Sequence, residues 1–477
     1  MDNDFKGKAV LVMGLGLSGG GVGTVEFLVK RGAKVTVTDL RTRRELAPSL
    51  KTLAKYGGIR YVLGRHRKED FLKADIIIKN PGVRRDAPLL VEAARRRIPI
   101  TSDIGIFFRL CPAKIIGVTG TRGKSTATYL IWKFLKSRFS RPSSVRSVWS
   151  STSNTLKRAR RIHYGGNIRR SVLTLLPRIR KDDLVVLELS SFQLQDLAYE
   201  KRSPHIAIVT NILKDHLNWH RNMKEYIRAK SAIFQFQRKN DILFINRRDA
   251  LLRQTARPAP VRARGAALPP TLLKTVNRNI GAHYRPSVAL AIAAARHFGV
   301  GLPAIHKVLG SFRGLEGRQE KIATVKGIHF INDTTATIPD AAIAAIRRFR
   351  DNAGAKHKLI LIAGGSDKKL DFAAMAAAIK KYVDTLVLLP GDATEKLIKN
   401  IKTVLPYSLI RTNKRIGKGK MRSIKSYKAE SMADAVRTAM SRAEKGDYVL
   451  LSPGAASFGL FLNEFDRGNQ FVQAVRK

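Results

Sequence analysis

The stretch GVTGTRGKSTAT (residues 117–128) joins a strand-like segment to a helix-like one. The apolar run AKIIGV leads into it, and TYLIWKFLK continues from it with apolar residues at helical spacing. Strand, glycine turn, Gly-Lys-Ser-Thr and helix are the parts of a phosphate-binding loop. The usual Walker pattern has a glycine five positions before Gly123, where this chain has Val118. The stretch therefore predicts a parallel α/β ATP-binding domain with an unusually tight phosphate loop.

The residue types in this loop predict how it binds a nucleotide. Backbone N–H groups would surround the phosphates, Lys124 would place a positive charge on them, and Ser125 or Thr126 would ligate Mg²⁺. The predicted cofactor-binding residues of the loop are Gly120, Thr121, Arg122, Gly123, Lys124, Ser125 and Thr126.

Two later strand-like segments, DLVVLELS and HIAIVTN, end near groups that bind metals. Glu188 lies at the end of the first, and Asp215 and His216 follow the second. The carboxyl ends of parallel strands meet at one edge of a sheet, and Mg²⁺ prefers oxygen ligands. Glu188 and His216 are therefore predicted to lie near the loop, with a purely structural histidine left open as an alternative.

Near the N-terminus, GLGLSG (residues 14–19) matches the G-x-G-x-x-G dinucleotide fingerprint. It follows the apolar run KAVLVM, and Asp39 ends the next strand-like segment. Glycines at such a turn admit a diphosphate at a helix N-terminus, and the acid holds a ribose hydroxyl. NAD, FAD and a UDP-sugar all fit this pattern, as does a structural turn without a ligand.

The last third of the chain repeats the alternation of apolar strand and polar turn. The segments are GIHFINDT, KLILIAGGSD, DTLVLLPG and DYVLLSPG. Asp333, Lys368 and Ser457 follow three of these strands, where they would either seat an anionic substrate or cap a helix.

Strands that alternate with helices along the whole chain predict an α/β protein of three domains. The predicted boundaries are 1–110 for a Rossmann-like N-terminal domain, 111–313 for a P-loop-type parallel-sheet ATPase core, and 314–477 for a Rossmann-like C-terminal domain. Residues 138–162 and 253–275 are predicted to be loops, because the first is rich in Ser and Arg and the second in Arg, Ala and Pro.

The charge of the chain is its unusual bulk property. Lys and Arg number 89 against 36 Asp and Glu, a net charge of +53. Such a surface binds polyanions non-specifically, so nucleic-acid binding and a merely solvated basic surface both stay open. Cys111 is the single cysteine, which excludes an internal disulfide. Without a signal-peptide pattern or an apolar run of about 20 residues, a cytoplasmic protein with no membrane insertion is expected.

The order of the motifs resembles the Mur ligases, and among them the members that add D-glutamate. The resemblance covers nearly the whole chain. It rests on GLGLSG, NPGV, GVTGTRGKST, GGNI, ELSSFQL, DHL, YIRAKSAIF, NDTTATIPDA, GGSDKKLDF and LSPGAASFGLF. It implies ligation of D-glutamate to UDP-N-acetylmuramoyl-L-alanine, in which ATP first converts a carboxylate into an acyl phosphate. It also implies two Mg²⁺ sites, a monomer, and nucleic-acid contact only through non-specific charge.

The resemblance assigns roles to individual residues. The implied catalytic residues are Lys124, His216 and Lys230. The implied Mg²⁺ ligands are Ser125, Thr126, Glu188, His216 and Lys230, the last as a carbamylated lysine. Arg318 and Asp333 would contact ATP. The implied substrate contacts are Leu15, Ser18, Asp39, Asn80, Gly82, Asn167, Ser191, Thr337, Lys368, Ser457 and Phe465.

The chain departs from the family pattern at several of its motifs. Tyr284 stands where the family often has asparagine, Thr335 where lysine is common, and Arg169 where GGNI is usually followed by glycine. Lys214 replaces an acid, and the register at Phe465 is shifted by one residue. Alternatives therefore stay open: another Mur- or folylpolyglutamate-type amino-acid ligase, a nucleic-acid-binding P-loop ATPase, and a dehydrogenase that binds NAD at GLGLSG.

Overall fold

The computed structural model describes residues 4–17, 19–139, 161–167, 171–216, 219–368, 370–403 and 424–477. The chain separates into two compact units. The first contains residues 1–269 and 286–308, and the second contains residues 270–285 and 309–477. Two of the three sheets lie in the first unit, and the third lies in the second unit.

The first sheet is fully parallel, with strand order β3-β2-β1-β4-β5. Its strands are β1 (Ala9–Met13), β2 (Lys34–Asp39), β3 (Arg60–Leu63), β4 (Ile76–Lys79) and β5 (Ile100–Thr101). The accompanying helices are α1 (Gly20–Val29), α2 (Ala47–Leu53), α3 (Lys68–Leu72), α4 (Pro88–Arg95) and α5 (Asp103–Leu110). This is the strand order of a Rossmann-like half.

The second sheet is also parallel, with order β11-β10-β9-β6-β8-β7. Its strands are β6 (Lys114–Thr119), β7 (Ile162–Gly166), β8 (Leu184–Glu188), β9 (Ile206–Val209), β10 (Ile242–Ile245) and β11 (Ala263–Arg264). The helices of this stretch are α6 (Lys124–Phe139), α7 (Ser191–Tyr199), α8 (Met223–Gln235), α9 (Ala250–Thr255), α10 (Leu273–Asn279), α11 (Arg285–His297) and α12 (Leu302–Gly310). Short 3-10 helices cover Val172–Arg178, Pro270–Leu272 and Ala282–Tyr284.

The third sheet is mixed, with order β12-β13-β17-β14-β15-β16. Its strands are β12 (Glu320–Val325), β13 (Ile328–Asn332), β14 (Leu359–Gly364), β15 (Thr385–Leu389), β16 (Lys425–Lys428) and β17 (Tyr448–Leu451). Strand β12 pairs antiparallel with β13, and the remaining pairs are parallel. Its helices are α13 (Pro339–Ala353), α14 (Ala373–Tyr382), α15 (Asp392–Thr403), α16 (Met432–Met440) and α17 (Glu464–Arg476).

The central strands are apolar on both faces because helices cover both sides of each parallel sheet. All residues of β8 and β14 are buried, for example. One cluster of buried apolar side chains extends from Val12 in the first sheet to Val185 in the second. The first two domains therefore share a continuous hydrophobic core within one compact unit.

The three-domain α/β fold predicted from the sequence is confirmed, with two refinements. The C-terminal sheet has an antiparallel edge strand, β12, which the strand pattern did not reveal. The loop predicted at 253–275 is wrong in part, because it contains the end of α9, strand β11 and the start of α10. Of the loop predicted at 138–162, residues 140–160 lie outside the described residues. Within the described ranges, every helix is too short or too polar to cross a membrane.

Candidate active site

The phosphate loop lies between β6, which ends at Thr119, and α6, which begins at Lys124. Gly120 has a φ of 148° and Gly123 a φ of 80°, both in the region that side chains rarely adopt. A Cβ atom on Gly120 would lie 1.9 Å from the hydroxyl oxygen of Thr210. The close approach of Thr210, which follows β9, therefore requires glycine at position 120.

Residues that follow β9 stabilise the phosphate loop through hydrogen bonds. The Asn211 side-chain oxygen accepts hydrogen bonds from the N–H groups of Thr121 and Arg122, at 3.1 and 2.9 Å. The Thr210 hydroxyl donates to the Arg122 carbonyl oxygen at 2.6 Å. The Thr121 and Arg122 N–H groups thus stabilise the conformation of the loop itself. The N–H groups of residues 124–126, at the start of α6, have no carbonyl acceptor within that helix, so a phosphate could accept from them.

Two lysine side chains donate hydrogen bonds to carbonyl oxygens of this loop. Lys124 Nζ donates to the Thr121 carbonyl oxygen at 3.0 Å, and Lys230 Nζ donates to the Gly120 carbonyl oxygen at 2.9 Å. Lys230 comes from α8 and is buried, whereas Lys124 and Ser125 are only half-buried. The loop therefore concentrates positive charge where an ATP phosphate chain would lie.

Glu188 is a buried acid at the carboxyl end of β8, next to the strand that leads into the loop. Its Oε1 atom accepts a 3.4 Å hydrogen bond from the Asn167 side chain. Its Oε2 atom has no hydrogen-bond partner among the described residues. A buried carboxylate oxygen without a partner fits a cation ligand, because such an atom is otherwise costly to bury.

His216 follows β9 and has a backbone φ of 53°, which is rare for a residue other than glycine. Its ring contacts Phe192, and its Nε2 lies 3.6 Å from the Asp215 carboxylate. Burial lowers the pKa of His216, against the charge of Asp215, and Lys124 and Lys230 lower it further. The neutral imidazole that results is the form that ligates metals.

Lys230 lies in an environment that disfavours its charged form. Its Nζ lies 4.7 Å from the centroid of the Tyr226 ring, whose hydroxyl is 3.0 Å from that of Thr121. Burial, and then the charge of Lys124, lower the pKa of Lys230 well below its ordinary value, against Asp215 and Glu188. A larger share of Lys230 is therefore a free amine than an exposed lysine would show.

The site has the donors for Mg²⁺ but no complete protein cage. No group of three or more His, Cys, Asp or Glu side chains within the described ranges is arranged to hold a metal. Glu188 supplies a carboxylate and Ser125 and Thr126 supply hydroxyls, and Thr126 is buried at the start of α6. Mg²⁺ usually keeps several waters and takes phosphate oxygens beside one or two carboxylates, so this donor set fits it.

The N-terminal glycine turn is held together by Asp39. One oxygen of this buried carboxylate accepts from the N–H groups of Leu15 and Gly16, at 2.9 and 3.0 Å. The other oxygen accepts from the N–H of Arg41 at 2.9 Å. The Leu15 side chain is buried, so only its backbone is available to a ligand. Ser18, the other residue predicted in this turn, lies outside the described residues.

The loop after β4 connects this turn to the second sheet. The Asn80 side chain donates to the Gly14 carbonyl oxygen at 3.4 Å and accepts from the Gly82 N–H at 3.0 Å. The Gly82 carbonyl oxygen accepts from the indole N–H of Trp219 at 3.2 Å. Asn80 is thus bonded to the glycine turn, and Gly82 is bonded to Asn80 and to Trp219.

Asn167 and Ser191 lie at the carboxyl edge of the second sheet. Asn167 follows β7, and its N–H donates to the Glu188 carbonyl oxygen at 2.9 Å. Ser191 is the first residue of α7, and its hydroxyl lies 3.0 Å from Nε2 of His220. Both residues therefore lie within the group that contains Glu188 and the phosphate loop.

In the second unit, the predicted residues lie around the carboxyl ends of β13, β14 and β17. The buried Asp333 carboxylate accepts from the Ser452 hydroxyl at 2.8 Å and from the Gln319 N–H at 3.0 Å. Burial raises the pKa of Asp333 to about 7, although both hydrogen bonds lower it. The neighbouring Arg318 is exposed.

The residues predicted to bind the amino acid lie on three loops and at the start of helix α17 in the same unit. Lys368 Nζ lies 3.4 Å from the Thr337 hydroxyl, so these two residues are brought together. Ser457 is buried after β17, and Phe465 is half-buried near the start of α17. A cavity of about 840 Å³ opens between α10, the 282–284 turn and α13, with His283, Arg285 and Arg348 among its lining residues.

Comparison with known proteins identifies the family. Three family models match in order: the Mur ligase MurD-like N-terminal domain at residues 8–102, the Mur ligase middle domain at 118–267, and the Mur ligase glutamate ligase domain at 317–454. A protein of Roseiflexus sp. (strain RS-1) named UDP-N-acetylmuramoylalanine--D-glutamate ligase is 38% identical over 500 residues, covering 98% of each chain. The chain is a Mur ligase. A Borreliella afzelii protein of the same name is 34% identical, covering 99% of this Mur ligase and 98% of the relative.

Solved structures agree on the fold of this Mur ligase. The UDP-N-acetylmuramate-alanine ligase MurC of Thermotoga maritima matches with a TM-score of 0.57 at 18% identity, covering 98% of this chain and 99% of that one. The MurF ligase of Thermotoga maritima in complex with ADP matches with a TM-score of 0.53 at 15% identity, covering 99% and 95%. Mur ligases are ATP-dependent enzymes that form amide bonds.

Two residues of this Mur ligase that the sequence did not single out support the site. His220 is fully buried beside Ser191, and burial lowers the pKa of His220 to about 4. Arg467 is fully buried in α17 and donates to the carbonyl oxygens of Ala455 at 3.1 Å and Thr334 at 2.7 Å. It thereby joins the loops that carry Thr337 and Ser457. Neither position belongs to a recognisable motif, so only burial in the folded chain reveals them.

Proposed function

We propose that this Mur ligase joins D-glutamate to UDP-N-acetylmuramoyl-L-alanine in peptidoglycan precursor synthesis, driven by conversion of ATP to ADP and phosphate. Full-length identities of 34–38% to proteins named UDP-N-acetylmuramoylalanine--D-glutamate ligase support the substrates. The observation that carries the chemistry is that Lys124 and Lys230 both bond to one tight phosphate loop, while Glu188, with its unpartnered oxygen, lies opposite Val118 on the strand that leads into this loop.

The reaction has to bring several negative charges together. A carboxylate is a poor electrophile, so its oxygen first attacks the γ-phosphorus of ATP, forming an acyl phosphate and releasing ADP. The amine nitrogen of D-glutamate then attacks the carbonyl carbon, loses a proton, and expels inorganic phosphate. Preorganised cations lower the cost of each anionic transition state. Lys124 would stabilise the transferring phosphoryl group, since its ammonium already lies at the loop.

Mg²⁺ would neutralise phosphate charge at this site when bound. Ser125, Thr126 and Glu188 would hold one ion, because the buried Oε2 atom of Glu188 has no hydrogen-bond partner among the described residues. His216 would ligate a second ion through its neutral imidazole. Lys230 would support that ion as a carbamate, in which the free amine has bonded to the carbon of CO₂ and lost a proton. The lowered pKa of Lys230 supports this step, because only the neutral amine reacts with CO₂.

The remaining predicted residues would bind the two organic substrates and the adenosine of ATP. The backbone of Leu15, together with Ser18, Asp39, Asn80, Gly82, Asn167 and Ser191, would line the path of the UDP-sugar. Because both Asp39 oxygens already accept backbone N–H groups, its main contribution would be the shape of the turn. Lys368 would pair with a D-glutamate carboxylate beside Thr337, Ser457 and Phe465, and Arg318 and Asp333 would contact ATP.

Phosphate release from ATP tests the proposal directly. The assay contains UDP-N-acetylmuramoyl-L-alanine with D-glutamate, with L-glutamate, or with no amino acid. Sustained release is expected only when the UDP substrate and D-glutamate are both present. Release with another amino acid would reassign the substrate within the family, and release stimulated by RNA in the absence of the UDP substrate would overturn the proposal.

A further inference from the structure

A buried ion pair joins the first sheet to the second. Lys79 is the last residue of β4, and its Nζ lies 2.9 Å from the carboxylate of Asp196 in α7. Both side chains are only 2% exposed. The two residues are 117 positions apart in the sequence, so the contact forms only in the folded unit.

Arg85 adds a second cation to the same carboxylate. Its Nε lies 3.5 Å from the nearer Asp196 oxygen, and its guanidinium lies 3.9 Å from the centroid of the Tyr199 ring. It also donates to the Ile100 carbonyl oxygen at 3.0 Å. Asp196 therefore receives cations from both ends of the loop that follows β4, residues 80–84.

The elements that this pair connects both belong to the proposed active site. Asn80, which directly follows Lys79, bonds to the glycine turn, and Asn80 and Gly82 are both proposed to face the UDP-sugar. Helix α7 begins at Ser191, three residues after Glu188, and Asp196 lies on that same helix. The Lys79–Asp196 contact therefore helps to set the distance between Asn80, on the proposed UDP side of the site, and Glu188, on the proposed metal side.

The far end of the loop has its own attachment to the second sheet. The Trp219 indole N–H donates to Gly82, and the Asp86 carboxylate accepts from Arg221 at 2.6 Å. Both of these contacts are partly exposed, so water competes with them. The Lys79–Asp196 ion pair is buried, so water does not compete with it as it does with these two exposed contacts. We therefore expect it to restrict the position of the loop more than they do.

We propose that the Lys79–Asp196 ion pair is a positioning device that sets the acceptor carboxylate of the UDP-sugar relative to the phosphate loop. The inference rests on the proposed function, and it goes further by giving a role to two buried residues that are not among the predicted substrate contacts. A buried ion pair is seldom the most stable solution, since well-packed apolar side chains of similar volume are often as stable or more so. An ion pair does fix a unique geometry, which an apolar contact at the end of a loop does not.

The test is the double variant Lys79→Met/Asp196→Leu, which removes both charges of the pair together. Arg85, which is 19% exposed, loses the carboxylate but keeps its contacts with the Tyr199 ring and the Ile100 carbonyl oxygen. We expect its melting temperature to remain near that of the wild type, because apolar replacements fill the space. We expect kcat to fall at least about tenfold while the KM for ATP stays within about twofold, since misplacement by about 1 Å costs up to about 100-fold in rate. Lys79→Arg, which keeps the charge pair, should retain most of the wild-type kcat.

A matched control separates positioning from general stability. Arg350 and Asp384 in the second unit form a 2.7 Å pair with both side chains 17% exposed. Arg350→Met/Asp384→Asn should leave kcat unchanged even if the melting temperature falls. A wild-type kcat in Lys79→Met/Asp196→Leu would overturn the inference, as would an equal loss of kcat in the control variant.

A readout without substrate distinguishes this inference from the proposed function. Trp219 reports the position of the loop through its bond to Gly82, and Trp132→Phe/Trp149→Phe makes it the single tryptophan. Its emission should shift in Lys79→Met/Asp196→Leu and not in the control. If the wild type is inactive but the Trp219 emission shifts in Lys79→Met/Asp196→Leu, the proposed function is overturned, and the result still supports that the ion pair fixes the position of the loop. An active wild type without the shift, and without loss of kcat in the variant, would overturn the inference alone.

Discussion

The buried ammonium of Lys230 donates to the carbonyl oxygen of Gly120 across 2.9 Å, which ties helix α8 to the phosphate loop. The lysine that would become a metal-supporting carbamate is thus also a structural contact in its unmodified form. Because the carbamate has no N–H₃⁺ donors, carbamylation would replace an ammonium donor with an anion beside the loop.

Lys230→Ala is expected to lower kcat about 100-fold, the cost of removing one preorganised electrostatic contact. The carbamate itself is testable by ¹³C NMR of protein equilibrated with ¹³C-labelled bicarbonate. One carbamate resonance is expected in the wild type and none in Lys230→Ala. A resonance that persists in the variant would place the modification elsewhere.

Lys124→Ala is expected to abolish ATP-dependent phosphate release, by about 100- to 1,000-fold, while the UDP substrate still binds. The reason is that Lys124 contacts the phosphate loop, whereas most of the proposed UDP contacts, Asp39 and Asn80 among them, lie at the first sheet. Isothermal titration with UDP-N-acetylmuramoyl-L-alanine checks the binding. Lys136→Ala, farther along the same helix, serves as the control and should retain activity.

Glu188→Gln is expected to raise the Mg²⁺ concentration needed for half-maximal phosphate release by at least about tenfold. The amide keeps the size of the side chain and its contact with Asn167, but it loses the charge that attracts the cation. Glu200→Gln, at the other end of α7, is the matched control. Equal Mg²⁺ dependence in the wild type and Glu188→Gln would remove Glu188 from the metal site.

Asp333 is expected to make stability fall as the pH rises between about 4 and about 7. Burial raises the pKa of Asp333 to about 7 in the folded state, so the folded protein keeps this proton while the unfolded chain releases it near its ordinary value of 3.8. Urea denaturation at several pH values measures this slope. Asp333→Asn, which cannot titrate, should flatten it, and an unchanged slope would show that other groups cause it.

Association of the UDP substrate is expected to slow as salt rises from 50 to 500 mM. A net charge of +53 attracts an anionic ligand, and salt screens that attraction, since the Debye length is about 10 Å at 0.1 M. Stopped-flow fluorescence of Trp219, in the Trp132→Phe/Trp149→Phe protein, measures the association rate. A rate independent of salt would mean that the surface charge does not steer this substrate.

The strands and the phosphate loop were predictable because their signals are local. KAVLVM, AKIIGV and KLILIAGG each form a buried strand that ends in a glycine turn, and Lys124 begins a helix as the pattern requires. Such positions follow from periodicity and from the few residues that a turn admits.

The supporting contacts were not predictable because they join distant parts of the chain. In the sequence, Lys230 is an ordinary helix lysine and Lys79 is the polar end of a strand. Only the folded structure shows that Lys230 contacts the phosphate loop and that Lys79 pairs with Asp196. Likewise Asp39 matches a ribose-binding acid in the sequence, yet in the folded turn it accepts three backbone N–H groups. Single-sequence patterns carry no information about which side chains become neighbours after folding.

The chain passes between the two compact units three times, at residues 269–270, 285–286 and 308–309. Neither unit is therefore a continuous piece of sequence. A truncation after residue 308 would strip residues 270–285 of the partner they pack with, and a fragment that starts at 309 would lack them entirely. We therefore expect two separately expressed halves of this ligase not to fold correctly, and the same for a chimera that takes only its C-terminal part from a relative. Both should succeed only if residues 270–285 are kept with the C-terminal piece, for example by circular permutation.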